Sequence, residues 1–296
     1  MPGRYIVTGG CGFIGSNLVK RLVREGNEVV IIDNLSTGKV NNVDGDGFRI
    51  LKSMEEVRKL REDFDGIFHL GMPSSTPIYR EDRSVIGKTV SEMITLLEFA
   101  REKKLKIVFA SSSSVYNRQK TPSTEDMPIV PTDFYTETRL FIERLCRVYH
   151  EFYGVRSIAL RLFSVYGENE HSKGRFANLV SQIEWTRDRG ETFDVYNEGR
   201  AVRDFIHVSD VVEAFILAME SDIDYDIINI GTGKACTIND IIKATGLKKY
   251  RYVGNPIKNY VDVTQADTSK AEKLLGFRAK MDVMDYIKKR AHKTRK

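Results

Sequence analysis

The sequence predicts an α/β fold built on a doubly wound parallel sheet. Three observations carry that expectation: six short, near-continuous apolar runs, stretches of helical spacing between them, and a glycine-rich turn directly after the first run. The runs lie at residues 5–7, 28–33, 66–70, 105–110, 157–162 and 226–230. They do not alternate polar with apolar residues, so they read as strands buried on both faces, the habit of parallel sheets. Phe13, Ile14, Leu18, Leu22 and Val23 repeat at helical spacing after the first run. Val90, Met93, Ile94, Leu97 and Ala100 do so before the fourth run, and Leu140, Ile142, Leu145, Val148 and Tyr149 before the fifth. Strand alternating with helix means βαβ units. Beyond Gly167 the texture changes to a polar loop at 168–174, then helices near 176–187, 208–219, 238–244 and 281–289 mixed with short strands. The division expected is a nucleotide-binding domain at 1–166 and a smaller α/β lobe at 167–296, with some strands of the second part returning to the sheet.

Composition limits the function. The chain has 296 residues, 41% hydrophobic and 29% charged, enough for a large core and too apolar for disorder. A net charge of +5 from 46 basic and 41 acidic residues favours small anions and gives no case for nucleic acid. Much of that excess lies in the run 288–296, read as a solvated tail after the last helix. Cys11, Cys146 and Cys236 are far apart, which argues against a metal site or a disulfide framework and for a reducing compartment. No apolar stretch is long enough to cross a bilayer and no secretory leader precedes the first strand, so a cytoplasmic protein is expected.

Gly9, Gly12 and Gly15 sit between the first strand and the first helix. A tight turn there needs positive φ, close approach of a phosphate needs a position without Cβ, and the helix start offers free N–H groups to a pyrophosphate. Asp33 ends the second strand, where a carboxylate accepts from the adenosine ribose hydroxyls and repels a 2′-phosphate. No Arg follows in Asn34, Leu35, Ser36, Thr37 and Gly38, so NAD is expected over NADP in a Rossmann-type sheet.

The fourth strand ends in four serines, Ser111 to Ser114. Tyr135 and Arg139, four apart, share one face of a helix. A cation beside a phenol stabilises the phenolate, which can take a proton from a sugar hydroxyl. Taken alone, the pair reads better as a surface tyrosine and a solvated arginine.

Residues 8–16, Asp33, the serine-rich strand end, the Tyr135 helix, residues 160–167 and residues 203–210 together resemble the extended short-chain dehydrogenase/reductases, and within them the nucleotide-sugar epimerases. The resemblance implies an NAD-dependent nucleotide-sugar 4-epimerase of the UDP-galactose/UDP-glucose type, working through a transient 4-keto sugar with the cofactor retained; the alternatives are another nucleotide-sugar epimerase or reductase of the family, and after these a non-catalytic NAD-binding protein. It implies Tyr135 as acid/base, Ser112 as its hydroxyl partner and Arg139 in place of the family lysine. It places Gly9, Gly12, Phe13, Ile14, Gly15, Asp33, Asn34, Thr37, Gly38, Ser53 and Met54 on the adenosine half of NAD. Leu70, Gly71, Met72, Thr89, Ser111 and Phe163 fall on the rest of the cofactor. Ser164, Asn178, Leu179, Tyr196 and Arg203 fall on the substrate, with Arg203 clamping its diphosphate.

The chain departs from the family pattern at Arg139, at Ser164 and Thr89 where asparagines are usual, at Ser53, and in the nucleoside stretch 255–260. Ser113 and Ser114 stand where dehydratases carry an acidic pair, which favours epimerisation. His69 and His207 read as packed residues, Asp210 as a helix N-cap and Trp185 as core or interface. In relatives, helices equivalent to those at 93–99 and 140–149 pair two subunits, so a homodimer is expected, with ordinary intrachain packing as the alternative.

Overall fold

The computed structural model describes residues 2–255 and 261–293. Seven parallel strands form the central sheet: β1 (Arg4–Thr8), β2 (Glu28–Ile32), β3 (Phe48–Leu51), β4 (Gly66–His69), β5 (Lys106–Ser112), β6 (Arg156–Leu162) and β11 (Tyr225–Ile230). Their spatial order is β11-β6-β5-β4-β1-β2-β3, so the connections run outward from β1 in both directions. That reversal opens a crevice beyond the strand C-termini, the usual ligand position in such sheets.

Helices cover both faces. α1 (Phe13–Arg24) and α6 (Val208–Glu220) bury Leu18, Leu22, Val211 and Phe215 on one face. α3 (Ser84–Lys103) and α4 (Phe134–Tyr153) bury Met93, Leu96, Leu97, Ile142 and Cys146 on the other. The short α2 (Thr76–Glu81) lies between β4 and α3 in the chain. α4 starts with a capping box, Asp133 accepting from Thr136, and ends at Gly154 in the left-handed region.

The chain after residue 166 contributes to this body through α6, through β11 on the sheet edge and through the segment 271–277, whose Ala271, Leu275 and Phe277 are buried in the same core. Its remainder has its own core around Tyr166, Val180, Ile183, Phe205, Ile241 and Ile287. Pairs of short strands frame it: β7 (Ser164–Tyr166) with β10 (Phe205–His207), β8 (Phe193–Tyr196) with β13 (Tyr250–Val253), and β9 (Val202–Arg203) with β12 (Cys236–Thr237). Helices α5 (Leu179–Arg189), α7 (Ile238–Thr245), α8 (Ser269–Leu275) and α9 (Val283–Lys293) complete the chain.

Two expectations are corrected here. The basic run 288–296 does not follow the last helix but begins inside it: α9 runs through to Lys293, Arg290 pairs with the buried Glu184 at 3.3 Å, and residues 294–296 lie outside the described residues. Asp210 is not the N-cap of α6. His207 takes that position, its Nδ1 accepting from the Ser209 N–H, while the Asp210 carboxylate accepts from the N–H groups of Lys280 and Met281. The nucleoside stretch 256–260 lies outside the described residues.

Candidate active site

The turn after β1 is built so that only glycine fits. Gly9 has φ of +67°, and a Cβ there would sit 2.7 Å from the backbone of Gly71. A Cβ on Gly15 would fall 2.1 Å from the Gly9 carbonyl oxygen. Gly12 begins α1 with no side-chain cap and no acidic residue follows in the first turn, so its first N–H groups face outward uncapped. Gly38 packs on Cys11, where a Cβ would meet the backbone at 2.8 Å. Asp33, buried at the end of β2, accepts from Cys11 N–H and Leu35 N–H, both at 2.8 Å. Asn34 folds back to accept from Ser36 N–H, and Thr37 is exposed beside it. Ser53 caps the following 3-10 turn in a capping box with Glu56, with Met54 buried beneath.

At the end of β4, Thr8 Oγ1 accepts from Gly71 N–H at 3.1 Å and lies 2.6 Å from His69 Nδ1. Burial, aided by the charge of Arg139, pushes His69 down to about 3, so it is a neutral packed residue. Leu70 donates its N–H to the Thr8 carbonyl.

Beyond His69 the buried face of α4 meets the α2 turn. The Arg139 guanidinium reaches Met72 Sδ and donates to the Pro73 carbonyl at 2.7 Å. It also lies 5.0 Å from the centroid of the Tyr135 ring. Tyr79, fully buried on α2, packs against Tyr135 with ring centroids 5.4 Å apart. Burial opposes the charge of Arg139, but Tyr135, Tyr79 and Glu143 outweigh it and hold the guanidinium above its ordinary value. Thr89 donates back to Val85 of its own helix and lies near the Tyr79 hydroxyl. Tyr135, Arg139, Met72 and Thr89 thus come together, with Tyr79 an addition that no sequence motif announced.

Ser112 ends β5 and caps the next turn, its Oγ accepting from Ser114 N–H at 3.2 Å. Ser111 points instead to the interior and donates to Glu143 at 2.6 Å. Glu143 is two turns beyond Tyr135 on the same face of α4 and pairs with Arg161 of β6 at 2.7 Å. Arg161 donates on to the Tyr116 hydroxyl, which donates to Asn229 of β11. Burial raises Tyr116 to about 12, so it stays a neutral link. This polar network fixes the serine strand end to α4 and β11. The one sequence signal for it was a charged residue inside the apolar runs.

Phe163 stacks on Tyr116, and Ser164 is half-buried with its N–H on the Asp204 carbonyl. Asn178 caps α5, Leu179 follows it, and Tyr196 ends β8. The Arg203 guanidinium donates to the carbonyls of Val202, Val261 and Asp262, which places it on the second lobe near the nucleoside stretch. Asp204, fully buried, accepts from Thr232, Gly233 and Ala266, and burial raises its carboxyl above the usual range.

A family model, the NAD dependent epimerase/dehydratase family, matches residues 5–231. The chain belongs to that family. A putative UDP-glucose 4-epimerase of Methanocaldococcus jannaschii is 32% identical over 96% of this chain and 96% of its own. The structure of a UDP-N-acetylglucosamine 4-epimerase from Methanobrevibacter ruminantium, in complex with UDP-N-acetylmuramic acid, superposes with a TM-score of 0.92 at 27% identity, over 98% of this chain and 97% of that one. A UDP-glucose 4-epimerase from Thermus thermophilus in complex with NAD gives 0.85 at 27% identity over 99% of each.

NAD is the cofactor of this epimerase family, and the residues present suit it. The uncapped start of α1 would offer a pyrophosphate its N–H donors, the close packing at Gly9 and Gly15 leaves no side chain in the way, and Asp33 follows the neighbouring strand.

Proposed function

We propose that the chain is a nucleotide-sugar 4-epimerase of the UDP-galactose/UDP-glucose type. The observation that carries this reading is Tyr135, buried between Arg139 and Tyr79 on the helix beside the serine strand end. NAD, when bound, supplies a reversible hydride acceptor, so that the alcohol carbon can pass through a ketone and be reduced from its other face. Tyr135 takes the proton of the C4 hydroxyl and returns it. Arg139 keeps a fixed positive charge beside the phenol, and the Ser112 hydroxyl shares the hydrogen bond of the reacting oxygen. Arg203, Asn178, Leu179 and Tyr196 hold the nucleotide end while the sugar turns. Ser113 and Ser114 carry hydroxyls where an elimination of water would call for carboxylates.

Incubation with UDP-galactose and no added cofactor should yield UDP-glucose. Tyr135→Phe should lower kcat by roughly 10²–10⁴-fold. Unchanged turnover in that variant would remove Tyr135 from the mechanism.

A second copy of the chain is the proposed partner for α3 and α4. Phe141, Leu145, Val148 and Phe152 form a stripe along the outer face of α4, and Phe141, Val148 and Phe152 are exposed, as is Ile94 on α3. Light scattering should give a dimer for the wild type and a monomer for Phe141→Glu. No described helix is long and apolar enough to cross a membrane, and the three cysteines are free thiols, which suits the proposed cytoplasmic setting.

A further inference from the structure

The segment 168–173 leaves the end of β7 and is fastened at two ends. Towards the dinucleotide loop, Asn17 donates to the Glu168 carbonyl at 2.9 Å. Asn169, in the left-handed region at φ 67°, donates to Ser16 Oγ at 3.0 Å. Asn42 donates both to the Cys11 carbonyl and to Ser172 Oγ. The Lys173 ammonium lies 5.4 Å from the centroid of the Phe13 ring. Four residues of the loop and of the start of α1, Cys11, Phe13, Ser16 and Asn17, are thus touched directly or through one side chain.

Towards the second lobe, the carboxylate of Glu170 is fully buried. One oxygen accepts from the Asn178 N–H at 2.8 Å and the other from the Ser181 hydroxyl at 2.6 Å. His171 stacks on Trp185 of the same helix at 4.1 Å. Glu170 therefore ties the first turn of α5 to a strap whose other side rests on the dinucleotide loop. The Arg175–Glu81 pair also bridges this segment to the first domain, but both side chains are more than half exposed and it adds little.

We propose that this strap couples the two binding sites, with Glu170 as the positioning residue, so that NAD and the nucleotide of the substrate bind with positive cooperativity. The inference rests on the reading above in one respect, that Asn178 and Leu179 face the nucleotide. A ligand that orders the loop has already met part of the cost of ordering the strap, so the second ligand binds more tightly, and the coupling is reciprocal. A coupling of ordinary size amounts to roughly 5–150-fold in affinity.

The test measures UDP affinity by calorimetry on the holoenzyme and on protein stripped of NAD. On the holoenzyme alone, it also measures the rate of NAD release with and without saturating UDP. The wild type should bind UDP at least several-fold more tightly when NAD is present, and UDP should slow NAD release. Glu170→Gln and the milder Asn169→Ala should bring both ratios close to one while each ligand alone still binds. A merely structural role would weaken both ligands and leave the ratios in place. Ratios near one in the wild type, or ratios unchanged in both variants, overturn the proposal. Failure of UDP and of every other nucleoside diphosphate to bind the wild type would overturn the functional reading and this inference with it. UDP binding without coupling overturns this inference alone.

Discussion

The chain before residue 167 and the chain after it are organised by different forces. In the first part the strands and helices follow apolar runs that collapse onto one sheet, with Ile6, Ile31, Ile67 and Ile107 fully buried. In the second part, outside α6 and β11, the strands are two to four residues long and pair only in twos. Such pairs are marginal alone. Beside the apolar core around Val180, Ile183 and Ile241, buried carboxylates grip backbone N–H groups of separate segments: Glu170 at the start of α5, Asp204 on the 232–233 turn and Ala266, and Asp210 on Lys280 and Met281. Hydrophobic burial is spread over many side chains and tolerates small losses. A carboxylate clamp concentrates its effect in one residue.

The comparison can be broken most directly at the clamps. Asp204→Ala leaves three N–H groups and the Thr232 hydroxyl without their acceptor, and should cost about 3–5 kcal/mol. Ile67→Val, deep in the first sheet, should cost only about 0.5–1.5 kcal/mol. Urea unfolding of the two variants checks the contrast, and equal losses would dissolve it. The first part also holds buried carboxylates that should behave like those of the second. Glu143→Gln strips the buried Arg161 of its counter-charge and should cost about 3–5 kcal/mol. Exchanging both partners for apolar residues of similar size should recover most of that loss in the same assay, if the damage is an unpaired charge and not lost packing.

The same contrast explains what was legible in the sequence. β1, β2, β4, β5, β6 and β11 follow from apolar runs because each run is buried whatever its distant partners are. β3 was missed: four residues at the sheet edge, none fully buried, carry no continuous apolar signal. The six-residue α2 and seven-residue α8 are too short for helical spacing to show. Around the site, the glycine loop is local chemistry and could be read directly. Tyr135 and Arg139 could be singled out by spacing, but their role came from resemblance. Tyr79, Glu143, Arg161 and Asn229 act through partners 18 to 113 residues away, which periodicity cannot reveal. Asp210 was misread for the same reason. An acid near a helix start suggests a cap, and only the fold brings Lys280 and Met281 to it while His207 takes the cap.

A smaller effect tests whether a polar contact in the first part can be as local as a clamp in the second. Lys106 enters β5 buried and donates to the carbonyls of Ala218 and Ser221, closing the C-terminus of α6. Lys106→Met should lower stability by about 1–2 kcal/mol, the range for a partly buried cation at a helix C-terminus. Hydrogen exchange should rise in α6 ahead of the rest of the sheet if the cap is a local device.

One effect is absent at neutral pH and visible only as a pH slope. His69 is held neutral in the folded chain, at about 3 against an ordinary value near 6.5, by burial first and by the charge of Arg139 second. Below pH 6.5 the unfolded chain takes up a proton that the folded chain refuses. Between pH 6.5 and 3 the unfolded state therefore binds more protons, and stability falls as the pH falls. Carboxylates contribute to acid unfolding as well, so the informative quantity is the difference between wild type and His69→Gln, whose amide can still meet Thr8 without titrating. Urea midpoints at pH 7, 5 and 4 should fall less steeply for the variant. Parallel curves would mean that His69 carries its proton in the fold, and that the end of β4 accommodates a second positive charge beside Arg139.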